Sequence, residues 1–221
     1  MTKTRGFLLT AGIVLATTFT LSCSGDDGDK DEGGGSCSAD FGEVTIGSQI
    51  WAKKNLNCNI KGSKCYGDDP ANCEKYGRLY DWVTAMGIDA IYTSSLWNGS
   101  DVKHKGICPS GWHIPSGDDW YTLWVTVGDG SNLTAGGKLK AESGWNNNGN
   151  GTDDYNFTAL PGGSTYGMNG FRNIGNAGRW WAASENSSGS AYAVEMKYDD
   201  NNVFRSSFPK EASYSVRCIK D

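Results

Sequence analysis

The chain has 221 residues, with 25 acidic against 20 basic side chains and a formal net charge of −5. An acidic chain without a basic stripe has no footprint for a phosphate backbone, so nucleic acid is excluded as a partner. Glycine is high at 31 residues and tryptophan at nine, a composition of long loops held by large aromatic anchors, and the regular aromatic spacing after residue 40 excludes low-complexity disorder.

Lys3 and Arg5 precede an apolar, threonine-rich run from Phe7 to Leu21, which ends at Leu21-Ser22-Cys23. A charged start, a short apolar run and a small residue before the cut read as an export signal over residues 1–22, too short for a spanning helix. The segment resembles a bacterial lipoprotein signal, with Thr20 where leucine is usual. That resemblance implies lipidation of Cys23 and anchoring in outer-membrane lipid. Residues 24–35 contain no apolar side chain, so 23–36 reads as a flexible acidic tether unable to bury surface. The signal carries +2 and the tether −4, leaving −3 on the rest. An acidic run at this place resembles the surface-export tether of some Gram-negative lipoproteins. The expected location is outside the cytoplasm, lipid-anchored at the outer membrane and facing the cell surface.

Residues 37–221 are long enough for one domain with a sizeable core. Six cysteines remain there, Cys37, Cys58, Cys65, Cys73, Cys108 and Cys218. An even number in an exported chain implies disulfides, with about 15 connectivities open. Cys65–Cys73 is the most local pair, across a turn-rich stretch. Cys108–Cys218 would close the longest loop, and Cys37–Cys58 would then remain. No CxxC is present, so zinc-ribbon and thioredoxin readings lack their signature.

In chain order, Glu43–Ile46 and Gln49–Ala52 flank Gly47-Ser48 and predict a hairpin with a glycine-first turn. Leu79, Trp82, Val83 and Met86 lie at helical spacing, which predicts one helix from Glu74 to Met86 with Gly87 as its stop. Residues 88–106 read as irregular. Ser116 is positioned to cap a second helix with Asp118 and Asp119 in its first turn and Trp120, Leu123, Trp124 and Val127 on its apolar face, ended by Gly128. A short helix or turn carries Leu139, and residues 144–155 form a long polar loop. Phe157–Gly163 reads as a short strand closed by a turn, and Trp180–Ser184 as another strand. Tyr192, Val194, Met196 and Tyr198 alternate with Ala193, Glu195 and Lys197, predicting a strand with one buried face. Val203–Arg205 follows a turn, and Tyr214–Ile219 is the last strand. Helices early and an antiparallel sheet late give the α+β class.

Five blocks resemble the Fibrobacter succinogenes major paralogous domain: residues 50–57 (IWAKKNLN), 76–82 (YGRLYDW), 106–116 (GICPSGWHIPS), 151–163 (GTDDYNFTALPGG) and 214–218 (YSVRC). They cover about residues 40–221 in family order. Cys58 departs from the family's usual aromatic residue, which suggests an added disulfide with Cys37. The family is similar to C-type-lectin-like folds, in which a C-P-x-G-W segment precedes the second helix and its cysteine pairs with one on the last strand. The resemblance thus implies a C-type-lectin-like α+β domain of two helices on antiparallel sheet, with a Cys108–Cys218 bridge. It brings no mechanism.

His104 and His113 are the only histidines, and neither has the spacing of a nucleophile's base or of a zinc ligand. His113, between Trp112 and Ile114, reads as a structural residue of the Cys108 turn. The C-type-lectin-like fold includes the formylglycine-generating oxidases, which need a reactive cysteine pair; with six cysteines paired, none is left free. No catalytic residue is therefore assigned. Calcium takes oxygen donors from glycine-bent loops, and Asn150, Asp153 and Asp154 are its candidate ligands, although the same residue types are ordinary turn formers. For a glycan or plant-polysaccharide ligand, exposed aromatic faces supply stacking surfaces. Trp97, Trp145 and one of the pair Trp180 and Trp181 are the candidates, since their neighbours are polar or glycine; the alternative is that all nine tryptophans pack inside. Adjacent strand residues face opposite ways, so Trp180 and Trp181 are not expected to be buried on one side together. The leading expectation is a surface binding or adhesion module, with a surface-protein ligand or a purely structural role as the alternative.

Overall fold

The computed structural model describes residues 1, 2, 37, 40–167 and 170–221. The export signal beyond residue 2, the lipidated Cys23 and the tether lie outside them. The strands are β1 (Glu43–Ile46), β2 (Gln49–Ala52), β3 (Trp112–His113), β4 (Ser164–Tyr166), β5 (Phe171–Arg172), β6 (Ala177–Ser187), β7 (Ser190–Lys197), β8 (Phe204–Pro209), β9 (Ala212–Ser213) and β10 (Ile219–Lys220). The helices are α1 (Pro70–Tyr76), α2 (Trp82–Met86), α3 (Gly117–Val127) and α4 (Ala135–Leu139). Among the described residues, no helix is long and apolar enough to cross a membrane.

β1 and β2 form the predicted hairpin, with Gly47 at φ 60° opening the turn. β2 continues onto β10, and β10 onto β3, giving an antiparallel sheet ordered β1-β2-β10-β3. This joins the beginning of the domain to its far end. A second sheet runs β5-β4-β9 and a third β6-β7-β8, both antiparallel.

The third sheet is the central partition. Trp181, Ala183, Ala191 and Ala193 point into a core with α2, while Trp180, Ala182, Val194 and Met196 point into a second core with α3. Both tryptophans are fully buried, one on each face. The expectation of a single buried face on 192–198 is corrected for the same reason. Small alanines line the α2 side of β7 and leave room for the large rings of Trp181 and Tyr214, packed 4.5 Å apart.

Sequence periodicity also misjudged the first helix, which is two. Asp69 caps α1 through Ala71 N–H, with Pro70 at its first position, and Gly77 ends it at φ 76°. A Cβ at Gly77 would lie 2.7 Å from Asn55 Cβ, so only glycine lets this turn press against the segment after β2. Residues 78–80 then run extended: Leu79 bridges Lys64 and Tyr80 bridges Tyr214. Asp81 caps α2 by accepting from Thr84 N–H at 2.8 Å. The helical spacing of Leu79, Trp82 and Met86 came from two different elements feeding one core. The expected strand 157–163 reduces to isolated bridges at Ala159 and Gly163, and β4 begins at Ser164. The expected last strand 214–219 is likewise broken into bridges and β10.

α3 matches its expected start. Ser116 Oγ accepts from Asp119 N–H at 3.2 Å and the Asp119 carboxylate accepts from Ser116 N–H at 2.9 Å, a reciprocal cap. Disulfides close Cys37–Cys58, Cys65–Cys73 and Cys108–Cys218. The 88–106 segment, expected to be irregular, holds one short 3-10 helix at Ala90–Thr93, capped by Asp89, and is pinned by a buried lysine. The Lys210 ammonium reaches Tyr92 O at 2.7 Å, Ser95 O at 3.0 Å, Ser188 O at 2.9 Å and the Glu185 carboxylate. It also stands 4.8 Å from the centroid of the Trp82 ring. Glu185 in turn accepts from the Trp97 and Asn98 N–H groups.

Two outcomes follow. Replacing both Cys108 and Cys218 by alanine removes a cross-link of sequence separation 110 and should lower unfolding free energy by about 2–5 kcal/mol in urea titrations. Lys210→Met should cost about 3–5 kcal/mol by stranding the Glu185 charge. Hydrogen exchange at Trp97 and Asn98 should accelerate selectively, because their amide acceptor is then freed; unchanged protection there would remove Lys210 as the anchor.

Candidate functional site

Three of the four nominated tryptophans are buried and offer no exposed face. Trp145 is only 5% exposed and Trp180 and Trp181 are 0% exposed. Trp145 donates its indole N–H to Ala159 O at 3.0 Å and packs beneath the Lys140 ammonium. Trp180 donates to Asn55 and Trp181 to Tyr80 O. Trp97 is half-buried, set edge-on to Trp82 and His104. Gly99 closes over it: a Cβ there would lie 2.1 Å from the ring. Polar sequence neighbours misled at Trp97 and Trp145 because these rings come from loops folded back onto a core, whereas Trp180 and Trp181 lie on β6, which is covered on both faces. The other five, Trp51, Trp82, Trp112, Trp120 and Trp124, are buried as well.

The oxygen donors of the 144–155 loop serve the loop itself. Asn150 Oδ1 accepts from Trp145 N–H at 3.0 Å. Asp153 accepts from both Thr158 N–H and Thr158 Oγ at 2.7 Å, while Asp154 is exposed. Among the described residues, no group of three His, Cys, Asp or Glu side chains is placed to hold a metal ion. The Asp153 grip has a visible purpose. Thr158 sits at φ 54°, a strained conformation for a β-branched residue, and needs surroundings that hold it there.

Thr158 lies on the wall of a cavity of about 480 Å³ between the segment following β2 and helix α1. Lys53, Lys54, Asn57, Glu74 and Lys75 bring ammonium, amide and carboxylate groups to its lining, and Phe41, Tyr76 and Leu160 add apolar surface. Lys75 is set with its ammonium 4.9 Å from the centroid of the Tyr76 ring, and Asn57 donates to Glu74 at 3.4 Å. The volume falls within the roughly 300–1,000 Å³ of small-ligand sites. Sequence reasoning missed this cleft. Its basic residues Lys53 and Lys54 follow the predicted hairpin without a motif of their own, and Glu74 and Lys75 fall at the start of the predicted first helix. The available signal was the position of both lysine groups beside cysteines, since the Cys37–Cys58 and Cys65–Cys73 bridges bring their flanks to this one place.

The floor is a closed network. Asn55 Oδ1 accepts from Trp180 Nε1 at 2.8 Å and Arg217 Nε at 2.9 Å, while its Nδ2 donates to Tyr76 O at 2.8 Å and Ser215 Oγ at 3.4 Å. The amide is fully used and positions the site rather than touching a ligand. The Arg217 guanidinium is completely buried against the Phe157 ring and donates to the carbonyls of Ala52, Lys53, Phe157 and Thr158. Burial pushes its pKa down to about 9, the Asp153 charge opposing, so it stays charged at neutral pH. Lys140, 1% exposed, repeats the arrangement with Lys197 O and Asp200 O. Burial lowers its pKa, against the charges of Asp200 and Asp199.

His113 sits at a second cavity of about 390 Å³. Its Nδ1 lies 2.7 Å from Asp221 Oδ1 and its Nε2 3.6 Å from Asp119 Oδ2, an ion-pair rather than hydrogen-bond separation. The two carboxylates occupy opposite edges of the ring. Ser116 Oγ donates to Asp119 at 2.6 Å, so the serine is directed to the helix cap and not to the imidazole as a base would require. Burial alone would lower the His113 pKa, but Asp119 and Asp221 outweigh it and hold it above the ordinary imidazole value. Burial would raise Asp119, yet His113 and Ser116 bring it below the ordinary carboxylate value. The cluster is an electrostatic clamp joining β3, the start of α3 and the residue following β10.

A family model described as the Fibrobacter succinogenes major domain matches residues 44–220, and the chain belongs to that family. No curated protein matches the chain, and no solved structure does so either.

The clamp sets a pH dependence. His113, with a raised folded pKa, contributes stability fully below its ordinary value of 6.5 and loses it as pH rises through the raised value. Asp119 contributes above its ordinary 3.8 and loses it as pH falls through its lowered value. The thermal midpoint should therefore decline as pH rises from about 6 to 9, and His113→Gln should flatten that decline; equal slopes in both proteins would remove the clamp.

Proposed function

We propose that this member of the Fibrobacter succinogenes major family is an extracytoplasmic binding module, tethered through lipidated Cys23 in outer-membrane lipid, that recognises a glycan in the cleft between the β2 exit and α1. The observation that carries this reading is the cleft itself, which combines amide, carboxylate and ammonium groups with a limited apolar wall. Such groups match sugar hydroxyls and the C–H faces between them. The family blocks at 50–57, 76–82 and 151–163 all contribute to its lining. Three disulfides suit an oxidising compartment outside the cytoplasm. We read the α+β fold as C-type-lectin-like; the pairing of β2 with β10, the bridge from Cys108 to Cys218 and the long 88–106 segment support this. A binding rather than catalytic role agrees with the use of Ser116 and His113 as cap and clamp.

One observation favours a second reading, a surface for another protein. Ile91, Leu96 and Val102 are 61%, 50% and 71% exposed within the Lys210-anchored segment.

A glycan array and an insoluble-polysaccharide pulldown with the protein separate these readings. Sugar binding should weaken about tenfold with Asn57→Ala, the loss of one good hydrogen bond, and persist when Ile91, Leu96 and Val102 are all changed to serine. Sugar binding indifferent to Asn57, or absent from the whole panel, would overturn the cleft as a glycan site.

A further inference from the structure

The charge of the cleft differs from that of the protein around it. The chain as a whole carries −5, yet the cleft lining holds Lys53, Lys54 and Lys75 against Asp40 and Glu74. Among the described residues, none of the three lysines joins an ion pair. Their charges are uncommitted, whereas Lys138, Lys197, Lys210 and Lys220 each have a carboxylate.

The floor adds to this. Arg217 is buried behind the cleft and donates to neutral oxygens only: the amide of Asn55 and the carbonyls of Ala52, Lys53, Phe157 and Thr158. Lys53, Asn55 and Thr158 are shared between this network and the cleft wall. Each carbonyl turns its oxygen toward the guanidinium and its positive end away from it. A buried cation without a carboxylate partner in direct contact is electrostatically under-compensated, and its field is weakly screened on the side of low dielectric. A groove with an excess of one sign in a protein of the other sign concentrates ligands of opposite charge.

We infer that the cleft takes an anionic sugar, its acidic group seated among Lys53, Lys54 and Lys75 over the buried Arg217. This rests on the glycan reading and narrows it to a chemical class, a carboxylated or sulfated saccharide. The hydroxyls meet Asn57 and Glu74, and the acid meets the lysines. Glu74 and Asp40 stand against a second acidic group and so restrict the charge density that fits. A neutral saccharide finds the hydroxyl partners without the ammonium contacts.

The test is calorimetric titration of the full chain with four probes: tetragalacturonate, a sulfated tetrasaccharide, cellotetraose and sodium sulfate. The acidic saccharides should bind more tightly than cellotetraose, with affinity falling as salt rises. Each of Lys53→Gln, Lys54→Gln and Lys75→Gln should weaken acidic-sugar binding about threefold, as expected for exposed ion pairs. The triple variant should lose about thirtyfold if the effects add, with its thermal midpoint nearly retained, because none of the three ammonium groups joins an ion pair among the described residues and only Lys75 gives up a place over the Tyr76 ring. Lys220→Gln, whose partner is Glu43, is the matched control and should leave binding unchanged. A carboxylated or a sulfated probe behaving this way supports the proposal and identifies which acid is preferred. Cellotetraose bound as tightly as the acidic probes, with no effect of the triple variant, would overturn the anionic assignment and leave the glycan reading standing. Sulfate alone matching the saccharides would overturn the sugar and keep the anion. Silence from all four probes would overturn both.

Discussion

Buried cations facing backbone carbonyls are the interaction on which this structure depends. A loop-rich domain has few ladders to absorb its C=O groups, and a buried carbonyl without a donor costs about 1–3 kcal/mol. Lysine and arginine bring several N–H bonds to one point, so one side chain satisfies segments that never pair as strands. Arg217 does this for residues 52–53 and 157–158, Lys140 for 197 and 200, and Lys210 for 92, 95 and 188. Only Lys210 has an ion-pair partner within 4.0 Å, Glu185. The other two are held by dipoles and by the faces of Phe157 and Trp145. Each is a dense crossing point in a chain whose helices are short.

The central sheet uses a different device. β6 and β7 are buried on both faces, so Trp180 and Trp181 belong to separate cores while remaining adjacent in sequence. Each indole N–H still finds an oxygen, Asn55 for one and Tyr80 for the other. The polar network under the cleft therefore begins in the core around α3, and the two halves of the domain are registered by side chains on consecutive residues.

Much of the architecture was legible where local chemistry decides it. The Gly47-Ser48 hairpin, the Ser116 cap and the stop at Gly128 need only nearby residues, and the structure has each of them. What was illegible depended on distant chain. Trp145 has a glycine and an asparagine as neighbours and Trp180 follows an arginine, yet the surfaces that cover these rings and Trp181 come from residues far away in sequence. Leu79 fits a helical period, but its backbone answers to Lys64. The cleft was hidden for a similar reason: residues 53–57, 74–77 and 158 become one wall only after α1 stops at Gly77 and presses on Asn55. Lysine and asparagine in a loop carry no signal of which partners will face them.

Arg217 and Cys218 are consecutive, and their partners all lie upstream: Ala52 is 165 residues before Arg217, and Cys108 is 110 before Cys218. Each core takes a residue from this last stretch, Cys218 for one and Ile219 for the other, and the carbonyls around residues 52 and 158 have no guanidinium until position 217 has been made. Closure this late and non-local is slow. The buried arginine thus makes the order of synthesis opposite to the order of closure: the segments it joins are made first and fixed last.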